Sequence, residues 1–139
     1  MTAPVEQFPF VEMDPAVGAI SRMPLLPLML SRDQQNVTVT GLLDTGAAVN
    51  VLPHSLGVQL GAVWEQQTIP VRLTGNMAGI EARVLLVTCQ VGHFAPVRLA
   101  FAWAYSDAMP VLLGQTNFFQ EFDVCFFRAR SIFEIRPKS

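Results

Sequence analysis

Apolar residues along this chain recur mostly at every second position, in short runs broken by glycine and proline, the spacing of β-strands rather than of long helices. Residues 1 to about 20 show no clear period and contain Pro4, Pro9 and Pro15, so an extended arm of residues 1–22 is expected ahead of a domain spanning 23–139. Leu25 to Leu30 predicts a first strand and Ser31 to Asn36 a polar turn. Val37-Thr38-Val39-Thr40 then alternates apolar and polar residues, as a half-buried strand does. Gly41 to Gly46 breaks that alternation with a turn, Val49 to Leu52 resumes extended structure, and Ser55 to Leu60 predicts one or two helical turns.

The middle of the chain has the pattern of a long hairpin. Ile69 to Thr74 leads in, Gly75-Asn76-Met77-Ala78-Gly79 forms the tip, and Ile80 to Val91 leads out, with Ile80, Ala82, Val84 and Leu86 on one face. Val97 to Trp103 and Val111 to Leu113 predict further strands, the second ending at Gly114. Gln115 to Phe122 places Phe118, Phe119 and Phe122 on one helical face. Val124 to Phe127 and Ile132 to Ile135 predict closing strands. The class is mostly β with one short C-terminal helix.

Composition narrows the function classes. The 139 residues fit one domain, and 51% hydrophobic against 14% charged residues is enough for a globular core, with apolar surface to spare for a partner. A net charge of -2 provides no field for nucleic acid. Arg128, Arg130, Arg136 and Lys138 alternate as a solvated strand face would. Met1 to Phe10 lacks the pattern of a secretory signal, and Met23 to Leu30 is too short to span a bilayer. Cys89 and Cys125 stand in no metal-ligand spacing with His54 or His93, so free, buried thiols, no metal and no cofactor are expected, in a soluble cytoplasmic protein. His54 has the setting of a surface residue at a helix start, and Trp64 and Trp103 that of packing residues outside any aromatic platform.

The stretch that carries chemistry is Leu42-Leu43-Asp44-Thr45-Gly46-Ala47. Two leucines bring a strand to Asp44, and Val49, Val51 and Leu52 carry the chain away again. A carboxylate at the end of an apolar run is costly unless it is hydrogen-bonded. Gly46 can bring its N–H close to that carboxylate, and the Thr45 hydroxyl can lock the loop.

In these residues, and in Val111-Leu112-Leu113-Gly114 downstream, the chain resembles the retropepsin family of aspartic peptidases. Between the two motifs the glycine-bracketed hairpin stands where that family has its flap, with 37 residues from Met77 to Gly114. The resemblance implies a closed β-barrel-like acid-protease fold with a flap hairpin. It further implies an aspartic endopeptidase acting on extended peptides, with Asp44, Thr45 and Gly46 as the catalytic loop. Ala47, Ala48, Val49, Val51, Pro110 and Leu112 would line apolar side-chain pockets, and Asn76, Met77, Ala78, Gly79 and Ile80 would close over the peptide as the flap tip. No second Asp-Thr/Ser-Gly occurs, so the other carboxylate would come from a second copy, and a homodimer is implied.

Two departures stand out. Many retroviral members carry an acidic residue and an arginine that pair near their interface, and this chain has Ala48 and Gln115 at those positions. The C-terminal pair of strands is also unlike theirs, so a differently built dimer sheet is expected. Two rival readings remain open at this point. One is a catalytically silent peptide-binding or scaffold module, and the other is a peptidase whose N-terminal arm occupies the cleft until removed.

Overall fold

The computed structural model of the chain describes residues 4–139. Six strands close into a mixed barrel. They are β4 (Leu25–Arg32), β5 (Gln35–Leu43), β6 (Asn50–Leu52), β7 (Ala82–Gln90), β8 (Val97–Ala104) and β9 (Val111–Leu113). Their order around the barrel is β4-β5-β9-β6-β8-β7, and β7 returns to β4. Strand β9 lies between β5 and β6, parallel to the first and antiparallel to the second. The loop joining β5 to β6 must therefore cross the end of β9. This crossing positions the site.

The predicted alternation holds where one face meets solvent. Leu26, Leu28 and Leu30 of β4 are buried while Pro27 and Met29 are exposed. In the middle of the barrel both faces are covered, so β6 and β9 are buried throughout. On one face lies the main core, around Phe101, Trp103, Leu113, Phe118 and Phe122. On the other lies a smaller cluster of Val51, Leu73, Ala82, Ala102, Ala104, Met109 and Leu112, which forms the bed of the cleft described below. Each fully buried Phe contributes about 1.5–3 kcal/mol. The few surface ion pairs, such as Lys138 to Glu121 at 2.7 Å, contribute about 1 kcal/mol or less each.

A three-stranded sheet covers one side of the barrel, built from both ends of the described chain. Strand β1 (Glu6–Pro9) pairs with β11 (Ile132–Pro137), which pairs with β10 (Phe122–Phe127). Phe133 and Ile135 are fully buried in the main core, and Phe8 stacks on Phe133 at 5.5 Å. The two-residue strands β2 (Val11–Glu12) and β3 (Arg22–Met23) pair with each other and carry residues 13–21 between them. Among the described residues, α-helices are confined to α1 (His54–Gln59) and α2 (Phe118–Glu121), with several 3-10 turns.

Several sequence expectations are corrected. The tight turn between β4 and β5 occupies only Asp33 and Gln34, and β5 runs on through Gly41 to Leu43 because Gly41-Leu42-Leu43 pairs with β9. The expected helix from Gln115 shrinks to Phe118–Glu121, since the Gln115 and Thr116 backbone N–H groups serve the crossing loop and Phe122 already belongs to β10. The incoming arm of the hairpin is no regular strand. It meets β7 through one bridge, Pro70 to Arg83, because proline offers no N–H to extend a ladder. Leu86 does share a face with Ala82 and Val84, but that face runs out of cover, leaving Leu86 49% exposed, while Leu85, Val87 and Cys89 fill the barrel. Arg128 and Arg130 sit in a 3-10 turn between β10 and β11, over the rings of Phe10 and Phe127, rather than on a strand face.

The two cysteines also part company. Cys89 is buried in the barrel, where desolvation pushes its thiol up to about 12, but Cys125 is exposed because β10 turns Phe122 and Val124 inward and Cys125 outward. Titration of the native protein with a thiol-reactive dye should therefore report one fast thiol per chain. Denaturation should release the second. Two fast thiols in the native state would contradict the placement of Cys89.

Candidate active site

The loop from Asp44 to Val49 is fixed at both ends by the strand it crosses. The Asp44 N–H donates to the Leu113 carbonyl at 3.0 Å, and the N–H groups of Gln115 and Thr116 donate to the carbonyls of Ala47 and Ala48, each at 2.9 Å. These bonds bring the loop so close to Gly114 that a Cβ there would collide with the Val49 carbonyl oxygen and lie 2.8 Å from that of Ala47. The glycine that ends the second motif is required by a close approach.

Within the loop, the Gly46 N–H donates to Asp44 Oδ1 at 3.0 Å, the bond that the sequence led us to expect. A backbone N–H aimed at a carboxylate fixes its plane. Asp44 is half-buried, whereas Thr45 and Gly46 are exposed beside it. Gln115 donates from Nε2 to the Thr45 carbonyl at 2.8 Å. A neutral amide thus supports the loop where an ion pair was absent.

Beneath the loop sits a residue that sequence reasoning missed. Asn50 is fully buried. Its Oδ1 accepts the N–H groups of Gly114, at 2.9 Å, and Phe118, at 3.4 Å. Its Nδ2 donates to the Ala100 carbonyl and to Asn117 Oδ1, both at 3.1 Å. One amide therefore ties the crossing loop, β9, β8 and the start of α2 together. Its only signal in the sequence is a lone polar residue between Val49 and Val51, which a half-buried strand would show equally well.

Asp44 opens onto a cleft of about 580 Å³. Of the expected site residues, Asp44, Gly46, Ala47, Ala48, Val49, Val51, Asn76, Met77, Ile80, Pro110 and Leu112 line it. Thr45 does not, and Ala78 and Gly79 line a separate recess on the other side of the hairpin tip. Leu42, Arg72, Leu73, Thr74, Gly75, Ala108 and Met109 complete the wall and were not foreseen. Arg72 is the one cation among them.

The wall formed by Ala108, Met109 and Pro110 is braced from outside. Asp107 accepts the Ser55 N–H at 2.8 Å, which, with the Ser55 side chain and nearby His54, lowers the carboxyl below its usual range. His54 stacks on Trp103 at 5.4 Å and meets Trp64 and Tyr105, so the two tryptophans are packing residues, as expected, within an aromatic cluster that was not foreseen. Arg83 lies over the Trp64 ring and donates to its carbonyl, fastening the base of the hairpin to that cluster. The sequence separations involved hid this arrangement. Among the described residues no group of His, Cys, Asp and Glu is placed to hold a metal ion, and no helix is long and apolar enough to cross a membrane.

Compared with solved structures, the chain is similar to a retropepsin-like aspartic protease from Rickettsia conorii, with a TM-score of 0.67 at 14% identity, over 98% of this chain and 94% of that one. The fold is that of a retropepsin-like aspartic protease. A second match is the EIAV protease complexed with the inhibitor HBY-793, with a TM-score of 0.48 at 20% identity, over 67% of this chain and 82% of that one. No family model matches the chain, and no curated protein matches it in sequence. On this retropepsin-like fold Asp44 stands in the loop that crosses β9, and the hairpin of residues 69–90 faces it across the cleft.

Proposed function

We propose that this chain is one half of an aspartic endopeptidase, completed when a second copy brings its own Asp44 to the first. The observation that carries this reading is the Asp44 carboxylate itself, held by the Gly46 N–H at the edge of an apolar cleft in a loop whose next two residues are exposed. A purely structural aspartate has no use for that setting. Two such carboxylates at close range share one proton, so one serves as base and the other as acid. The ionised group takes a proton from water as the water oxygen bonds to the peptide carbonyl carbon. The protonated group gives its proton to the carbonyl oxygen. Collapse of that intermediate breaks the C–N bond, with a proton passing to the leaving amine.

Substrate would lie extended between the loop and the hairpin tip, its backbone paired as an added strand. The apolar walls from Val49, Val51, Met77, Ile80 and Leu112 favour hydrophobic side chains at the scissile bond. The deciding experiment is digestion of a mixed peptide library at several protein concentrations, from mildly acidic to neutral pH. Cleavage that rises faster than the first power of concentration supports the reading. Cleavage strictly proportional to concentration would count against a shared site, and none at any concentration would leave only a peptide-binding module.

Arg72 adds an expectation on specificity. It is exposed on the cleft wall and makes no ion pair among the described residues. Peptides with Glu at one position near the scissile bond should be cut about two- to fivefold faster than those with Gln, the scale of an exposed ion pair. Arg72→Gln should erase that preference. Equal rates for Glu and Gln peptides across all positions would remove Arg72 from the specificity account.

A further inference from the structure

We propose that the exposed apolar segment of residues 11–23 is the surface on which the second copy docks. This rests on the proposed function, since only a shared site calls for a second copy. Five of the thirteen large hydrophobic residues exposed among the described residues fall in this short segment: Val11, Met13, Val17, Ile20 and Met23. Ile20 is 83% exposed and Met13 56%, so these are outward side chains rather than the margins of a core. Clustering of that kind marks a contact surface.

The segment is held in place. The Phe10 N–H donates to the Ser131 carbonyl at 2.8 Å, the Arg22 guanidinium donates to Ser131 Oγ at 3.1 Å, and Arg128 donates to the Ala19 carbonyl at 3.1 Å. Ser21 Oγ donates to the Gly18 carbonyl at 2.8 Å and accepts the Asp14 N–H at 3.0 Å, closing the loop on itself. An anchored segment that turns its apolar side chains outward has already lost most of the conformational freedom that docking would otherwise cost.

Two observations select a second copy as the occupant. The first is position. Met23 adjoins Pro24, whose carbonyl accepts the N–H of Leu43, the residue immediately before Asp44. The apolar surface therefore begins beside the loop that must meet its own image, and a partner that brings Asp44 to Asp44 arrives at this edge of the molecule. The second is charge. Glu12 and Arg22 face each other across the β2–β3 ladder, 4.0 Å apart. Both signs on one patch suit a two-fold contact, in which Glu12 of each copy can meet Arg22 of the other.

The test uses the full chain with Val17→Asp and Ile20→Asp combined, beside Val58→Asp, a position on α1 about as exposed as Val17. Because all three side chains face solvent, circular dichroism and melting temperature should match wild type. Sedimentation velocity over a concentration series should show wild type and Val58→Asp dimerising alike, and the double variant with a dissociation constant raised at least tenfold. Its peptide cleavage should fall at low concentration and recover at high concentration. A double variant that dimerises and cleaves like wild type would overturn the docking surface and leave the shared active site standing. Wild type that neither dimerises nor cleaves would overturn both. Monomeric wild type that cosediments with phosphatidylcholine vesicles would assign the patch to a lipid surface instead, overturning the inference.

Discussion

Asp44→Asn is expected to abolish peptide hydrolysis, by at least about a thousandfold, while leaving the fold and the melting temperature close to those of wild type. The amide keeps an oxygen for the Gly46 N–H, so the loop retains its bond. It cannot share a proton with a second carboxyl, and neither member of the pair can then act as base. The stronger form of the experiment mixes the two proteins. If chains pair at random, equal amounts of mutant draw roughly half of the wild-type chains into mixed dimers with a single carboxylate. Activity per wild-type chain should fall accordingly, by roughly half. If added mutant leaves that activity untouched, each chain works alone, and the shared site is wrong.

Gly114→Ala is expected to destabilise the protein by about 3 kcal/mol or more, at the upper end of what a single added carbon does in a packed interior. The reason is the nature of what the new methyl meets. At Gly114 the obstacles are the carbonyl carbon and oxygen of Val49 and the carbonyl oxygen of Ala47, all backbone, in a loop already tied to β9 and the residues just after it by three hydrogen bonds. Backbone so held cannot give way as a side-chain tip can. Gly18→Ala provides the comparison. Its φ of +73° imposes strain, but nothing lies within 4 Å of the added carbon, so a loss of about 1 kcal/mol is expected there. Urea unfolding midpoints of the two variants decide the matter. Similar losses would mean that the loop over β9 relaxes more freely than its hydrogen bonds imply. Because that loop carries Asp44, Gly114→Ala should also depress activity beyond its effect on the folded fraction.

The parts of this molecule that could be read from its sequence are those governed by neighbours along the chain. Leu42-Leu43 before Asp44, with Val49 and Val51 on either side of Asn50, announce a strand, a turn and a return because side chains alternate faces with a period of two. The apolar run Val111-Leu112-Leu113 announces a strand covered on both faces for the same reason. What escaped is set by contacts remote in sequence. Asn50 looks ordinary until Gly114 and Phe118, 64 and 68 residues away, place their N–H groups on its oxygen. Cys125 sits among Val124, Phe126 and Phe127, an apolar neighbourhood in one dimension that the pleat resolves into two faces, one of them exposed. The aromatic cluster around His54 joins residues from α1, the following turn and β8, none of which signals the others. Arg72 was passed over because its segment has no ladder pairing and therefore no periodicity to read.

The pairing of β1 with β11 has a consequence for how the molecule comes into being. Gln7 and Glu134, joined by a hydrogen bond in the finished sheet, are 127 residues apart. A ribosome adding 5–20 residues per second makes the second of them roughly 6 to 25 s after the first. Throughout that interval Phe8 has no Phe133 to stack on, and β1 must wait without its partner. The barrel strands β4 to β9 can close earlier, but the outer sheet can be sealed only once β11 has been made. Contacts of such long range also slow folding after synthesis, because the loop they close is costly in entropy. If the chain is the half-peptidase proposed above, its pairing into a working site is thereby held back until β11 has been made.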